Sequence, residues 1–290
     1  MDLSKQVYES DATGWQRGLY DDIEATLRAP TVNSIWRVQM HHAPEFLRYA
    51  WGQIKPVFQT QAFAAFSVAY RNRLLSAVEE SLPRYDPAAV DVSPSAFTEL
   101  RGQLATFDAV SPRLVVLFKL MHRRLNGRSV GSDIGDASAA TAPFPDWLDA
   151  DRGRSPTMLS QGEARDALPE SLEASLGDMV PSIYRVLAQW PSYLDAAWTD
   201  LEPVFEGEPF AAAQTDALAL ADTFLDRLPY TPRVDPDALA QVGFEDETVS
   251  ELQDLYDTFL DIGTRVVPRL PVFAATVGAA GEREALTFPE

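Results

Sequence analysis

The sequence contains no cysteine, which excludes disulfide frameworks, zinc knuckles, iron–sulfur clusters, thiol nucleophiles and CxxC redox chemistry. Histidine is scarce, present only as His41, His42 and His122. His41 could pair with Glu45 one helical turn on, but adjacent His42 points elsewhere and no third ligand stands at metal spacing, so neither a metal nor a cofactor is expected. Lysine occurs only at Lys5, Lys55 and Lys119, so 21 of the 24 basic residues are arginine, set against 43 acidic ones for a net charge of −19. Binding to nucleic acid or to an anionic membrane needs clustered positive charge, and this chain has none. Few lysines and many carboxylates describe a surface adapted to molar salt, which reads as the cytoplasm of a halophile. Long apolar runs are missing too. No stretch of 18 apolar residues occurs and the opening MDLSKQVYESDATGW has no apolar segment, so neither a membrane span nor a secretion signal is expected. Nor is there a GxSxG elbow, a glycine-rich phosphate loop or an HExxH pair, so serine-hydrolase, nucleotide and zincin chemistry lack their first requirement.

What is present is a core and a repetition. The 290 residues are 46% hydrophobic, enough for one large or two smaller well-buried domains. From Val32 the chain reads V-N-S-I-W-R-V, and Pro44 then begins P-E-F-L-R-Y-A-W-G-Q-I-K-P-V-F. From Val180 it reads V-P-S-I-Y-R-V, and Pro191 begins P-S-Y-L-D-A-A-W-T-D-L-E-P-V-F. Weaker matches continue, Phe63 over Phe210 and Leu82-Pro83 over Leu228-Pro229 among them. Such self-similarity marks a duplicated unit. The spacing predicts an all-α protein of two homologous helical repeats of about 110 residues each, packed as an intramolecular pseudo-dimer about a pseudo-twofold axis. Residues 1–126 would form the first repeat, 127–171 an exposed crossover linker rich in Gly, Ser, Pro and Asp, and 172–290 the second repeat.

Apolar residues recur at helical spacing, as in Phe46, Leu47, Ala50, Trp51 and Ile54, or Leu252, Leu255, Tyr256, Phe259 and Leu260, with about five helices expected per copy. Helix starts are signalled by Ser93-Pro94 and Asp235-Pro236, a capping oxygen followed by a proline whose missing N–H costs nothing there. Pro44 and Pro191 would open the helices carrying Trp51 and Trp198. Ser34 and Ser182 stand where a buried helix begins in each copy. Two readings of them are open: they cap their helices, or the two helix ends face each other across a central pocket and receive a small anion or carboxylate.

The segment Tyr20 to Val32, Y-D-D-I-E-A-T-L-R-A-P-T-V, followed by Arg37-Val38 and P-x-[FY]-L-x-x-A-W, resembles the group I 2-haloacid dehalogenases. The stretch S-x-x-x-x-L-A-x-W-P from Ser182 to Pro191 is similar to that family's second repeat, and Arg128-Ser129-Val130-Gly131 to its crossover. The resemblance implies an α-helical pseudo-dimer, a homodimeric assembly, and an active site between the repeats. There an Asp activates water to displace halide from a short 2-substituted carboxylic acid, with inversion and without a cofactor. Carried over by residue, the serine before the catalytic Asp falls on Ser182 and a pocket tyrosine on Tyr256. An asparagine that holds the water falls on Ser111, and aromatic wall positions fall on Thr31 and Ser34. The catalytic Asp falls on Ile183.

A hydrocarbon cannot accept a proton, and a positioned base is worth about 10² to 10⁴ in rate. Three readings on the same fold follow from Ile183. The first is a dehalogenase-like hydrolase that uses another carboxylate, Asp108 because it shares a helix face with Ser111, or else Asp178. The second is a non-catalytic protein that binds a small carboxylate. The third is a structural or interaction protein whose pocket is filled by its own side chains.

Overall fold

Helix boundaries fall where local cap chemistry puts them. In a computed structural model that describes residues 1–131, 142–177 and 179–288, the Ser93 hydroxyl accepts the Ala96 N–H at 3.3 Å and Pro94 opens α5 (Pro94–Leu125). The Asp235 carboxylate likewise accepts the Ala238 N–H at 3.1 Å ahead of α11 (Pro236–Gln241). Pro44 and Pro191 open α3 (Pro44–Ile54) and α9 (Pro191–Glu206), where proline gives up no hydrogen bond. The first part of the chain adds α1 (Trp15–Leu27), α2 (Ser34–His42) and α4 (Gln61–Ser76). After the connecting segment come α6 (Gln161–Asp166), α7 (Glu170–Ser175), α8 (Ser182–Leu187), α10 (Glu208–Asp226), α12 (Asp246–Val266) and α13 (Leu270–Thr276). The fold is all-α. Among the described residues there is no strand, only an isolated bridge between Thr60 and Pro143, and no described helix is long and apolar enough to cross a membrane.

The 32-residue α5, about 48 Å long at 1.5 Å per residue, is the spine. α12 and α13 pack along it, and α4 packs on α10. The apolar faces read from the sequence are the buried ones: Phe46, Leu47, Ala50, Trp51 and Ile54 on α3, and Leu252, Leu255, Tyr256 and Phe259 on α12. The α5–α12 contact is close because Gly263 has no side chain. A Cβ there would sit 2.5 Å from a ring carbon of Phe118, so that crossing needs glycine.

Matched segments of the two halves make matched contacts. Trp36 meets Trp51 edge-on at 6.0 Å, and Tyr184 meets Trp198 edge-on at 6.3 Å. Trp51 and Phe58 lie together, as do Trp198 and Phe205, and Phe58 and Phe205 in turn reach Phe63 and Phe210. Trp51 and Trp198 each spend the indole N–H on a helix that precedes their own, Trp51 on Asp22 and Trp198 on Ser171, both at 2.8 Å.

Composition reads the segment 127–171 as an exposed linker; among its described residues, 127–131 and 142–171, several are nonetheless drawn into the core. Val130, Phe144, Leu148, Asp149 and Ala164 are buried, and Phe144 packs on Phe63. The physical reason is charge. Arg71 of α4 and Asp108 of α5 are buried and pair with each other at 2.9 Å, Arg113 of α5 is buried beside them, and the connecting segment adds the counter-charges that complete the group. Asp149 accepts from Arg113 at 3.0 Å and from Arg152 at 2.6 Å, and lies 3.6 Å from Arg71. Arg152 donates to Asp108 at 2.8 Å and to the Ala279 carbonyl at 3.0 Å. Arg71 also binds the Glu282 carbonyl, and the Gly281 N–H reaches Asp108 at 3.0 Å. Two helices, the connecting segment and the C-terminal tail are thus joined at one buried knot.

Candidate active site

A cavity of about 120 Å³ lies where the N-terminal ends of α2 and α8 approach α5 and α12. It is far smaller than the roughly 300–1,000 Å³ of pockets for drug-sized ligands and suits a molecule of a few heavy atoms. Phe107, Val110, Leu114 and Phe118 of α5 make one wall, and Phe259, Ile262 and Val266 of α12 another. The connecting segment closes a third side with Pro156 and Met158.

Four of the residues singled out from the sequence line this space: Thr31, Ser34, Ser182 and Ile183. Three do not. Ser111 of α5 is fully buried outside the lining, and its hydroxyl donates to the Val267 carbonyl at 2.9 Å. Tyr256 faces α2, where its hydroxyl accepts from Gln39 at 2.7 Å; burial holds that phenol well above its ordinary pKa. Asp108 is fully buried in the charged knot, accepting from Arg71, Arg152 and the Gly281 N–H. It is absent from the lining, and its oxygens are taken up by donors. Asp178 lies outside the described residues.

The helix starts also differ in detail from the sequence reading. Asn33, not Ser34, caps α2 by accepting the Ile35 N–H at 3.0 Å, and Ser34 is the first helical residue. Pro181 occupies the matching position before α8, with no side-chain cap. Asparagine is among the best capping residues, so its displacement of the neighbouring serine has a simple cause.

Sequence reasoning missed the two charged residues of the lining, Arg37 and Arg185. The signal was available, since both sit at the same place in the repeated S-I-[WY]-R-V. Each arginine is held by an extended segment that precedes its helix. Val7 N–H donates to the Arg37 carbonyl and Leu159 N–H to the Arg185 carbonyl, both at 3.2 Å. Glu9 then grips the Arg37 side chain in a fork, Nε to Oε2 at 2.9 Å and Nη2 to Oε1 at 2.6 Å. Glu9 also accepts from the Val32 N–H at 3.0 Å and the Thr31 hydroxyl at 3.2 Å. Partial burial alone would raise the Glu9 carboxyl, but bonding and charge from Arg37 outweigh it and hold the group below its ordinary pKa. On the other side the Arg185 Nε donates to the Leu159 carbonyl at 2.8 Å, and Gln161 accepts the Val180 N–H at 2.9 Å. Among the described residues the lining holds no Asp, Glu or His, and its charges are the two arginines.

The family described as Halocarboxylic acid dehydrogenase DehI matches residues 30–171. An (R)-2-haloacid dehalogenase of Pseudomonas putida is 26% identical over 250 residues, which cover 83% of this chain and 82% of that one. A configuration-inverting 2-haloacid dehalogenase of Pseudomonas sp. (strain 113) is 30% identical over 210 residues, 69% of this chain and 67% of the relative. The chain belongs to the haloacid dehalogenase family. Solved structures of that family have the same fold. A D-2-haloacid dehalogenase mutant matches with a TM-score of 0.78 at 23% identity, covering 93% of this chain and 94% of that one. A complex of D-2-haloacid dehalogenase with L-LA matches at 0.78 and 22% identity, covering 93% and 95%. In this dehalogenase-family chain the cavity therefore sits in a scaffold whose relatives act on 2-haloacids.

Proposed function

We propose that this protein is a dehalogenase-like hydrolase scaffold that takes a short 2-substituted carboxylic acid into the cavity between two helical repeats, with its water-activating step impaired at Ile183. One observation carries the reading: in a chain of net charge −19, the lining holds two arginines and no acid. Guanidinium groups pair with carboxylates by matched geometry as well as charge, and the cavity is otherwise apolar enough to receive a small substituted carbon. The pseudo-dimer reading draws support from the paired aromatic contacts, from α4 packing on α10, and from the matched arginines.

In hydrolytic dehalogenation the water oxygen forms a bond to C2 and the halide leaves with the bonding electrons. The water proton must pass to a base. Ile183 lines the cavity but has no atom that can receive it. The binding half of the function is then built, and the catalytic half lacks its proton acceptor. That makes the non-catalytic small-carboxylate binder the second reading, favoured by the same acid-free lining. The presence of the cavity counts against an interaction protein with a filled centre.

The test is bromide release from racemic 2-bromopropionate in multi-molar KCl, with Ile183→Asp beside the wild type. We expect Ile183→Asp to exceed the wild type by about 10² or more, and 2-bromopropionate to raise the unfolding temperature of both. Equal release by the two proteins would mean a base outside the lining. No release and no stabilisation in either would remove the carboxylic acid as the ligand.

A further inference from the structure

We propose that Glu9 is a tethered carboxylate that holds the acid-binding donors beside the cavity, and that an entering substrate carboxylate displaces it from Arg37. The proposal rests on the carboxylic-acid reading above and concerns how access to that site is controlled.

Three groups around the cavity donate to Glu9: the Arg37 guanidinium, the Thr31 hydroxyl and the Val32 N–H. All three residues are part of the lining. The chain's own carboxylate thus sits in the fork of donors that a free carboxylic acid would seek, and the chemistry is the same in both cases.

The second repeat shows that the charge of Glu9 is not needed to attach its segment. Gln161 occupies the corresponding place before α8 and accepts the Val180 N–H at 2.9 Å, as Glu9 accepts the Val32 N–H at 3.0 Å. Leu159 and Val7 make the same backbone bond to their arginines. A neutral amide therefore performs the structural task in one half, and the carboxylate in the other half adds the pairing with Arg37 and the bond from the Thr31 hydroxyl.

The two partners differ in how freely they can leave. Arg37 is fixed within α2 and buried, with 8% of its side chain exposed, whereas Glu9 shows 18% and belongs to a segment outside any helix whose neighbours Tyr8 and Ser10 are exposed. Glu9 can swing into water and Arg37 cannot follow. A buried guanidinium left without an anion is costly, so Glu9 departs when another anion replaces it. The exchange is one carboxylate for one carboxylate and leaves the local charge unchanged. Gln6, in the same segment, also lines the cavity, so departure of Glu9 opens that wall.

The experiment is titration calorimetry of 2-chloropropionate into the full-length wild type, Glu9→Gln and the double variant Glu9→Gln/Arg37→Gln, in high salt. Glu9→Gln keeps the Val32 acceptor that Gln161 exemplifies, so it should fold. It is expected to bind about tenfold tighter than the wild type, equivalent to about 1.4 kcal/mol, and the double variant to lose that gain. Hydrogen exchange on the unaltered protein gives a second measure: saturation with 2-chloropropionate should speed exchange at Val7 and its neighbours. Binding by the wild type with equal or weaker binding by Glu9→Gln, or slower exchange at Val7 on saturation, would overturn the displacement while leaving the carboxylic-acid reading intact. No binding by any of the three proteins would overturn both.

Discussion

Asp149 has two charged arginines buried beside it and a third at the edge of the knot, so its protonation is coupled to folding. Burial alone would raise its pKa, but the charges of Arg113, Arg71 and Arg152 together bring it from 3.8 to about 2. A group depressed in the folded state contributes stability above its unfolded pKa and loses it as pH falls through the folded value. Asp149 should therefore add about 2 kcal/mol that is present above pH 4 and lost between about pH 4 and pH 2. Denaturant titrations across that range should show the loss, and Asp149→Asn should flatten it; a wild-type curve already flat there would refute the assignment. None of this was legible in the sequence. The knot joins residues 71, 108, 113, 149, 152 and 281, and apart from Asp149 with Arg152, three residues on, no local spacing relates the partners. The caps at Ser93 and Asp235 were legible, because each acts on an N–H three residues away.

Among the elements, α5 and α12 carry both the packing and the cavity walls, so a change at their crossing should affect both. Gly263 touches Phe118 there, and both residues line the cavity. Gly263→Ala removes a helix-weakening glycine, which by itself would help. The added methyl must nevertheless displace the Phe118 ring. Overpacking of this kind costs about 1–3 kcal/mol, and we expect the unfolding midpoint to fall and 2-chloropropionate affinity to fall with it. A stabilised Gly263→Ala protein would show that the ring moves aside freely. The helices themselves were readable because their apolar positions recur at the helical period and proline marks their starts. The inward-turned part of the connecting segment was not legible for a related reason: it has no period, and composition alone does not disclose that Asp149 is buried against arginines of two helices. Arg37 and Arg185 were printed in the repeat, yet a motif shared by two halves looks like core until the cavity between them is seen.

For the whole molecule, a net charge of −19 means that folding gathers like charges onto a smaller surface. Salt relieves this. The screening length falls from about 10 Å at 0.1 M to about 3 Å at 1 M, so the unfolding temperature should climb from dilute to molar KCl. A midpoint that does not move would show that the carboxylates are already balanced locally, as in the pairs of Arg123 with Asp222 and Asp226. The interior poses the opposite problem, and the C-terminal tail bears on it. Arg71 and Arg152 rely on the carbonyls of Glu282 and Ala279, and Asp108 on the Gly281 N–H. During synthesis these partners emerge long after the helices they serve. Early helices can gather around their aromatic contacts, but two guanidinium groups and a carboxylate stay short of hydrogen bonds until the tail arrives. The closing of the core therefore waits for residues 279–282, and a nascent chain stalled before residue 279 is left with an unfinished interior for chaperones to shield.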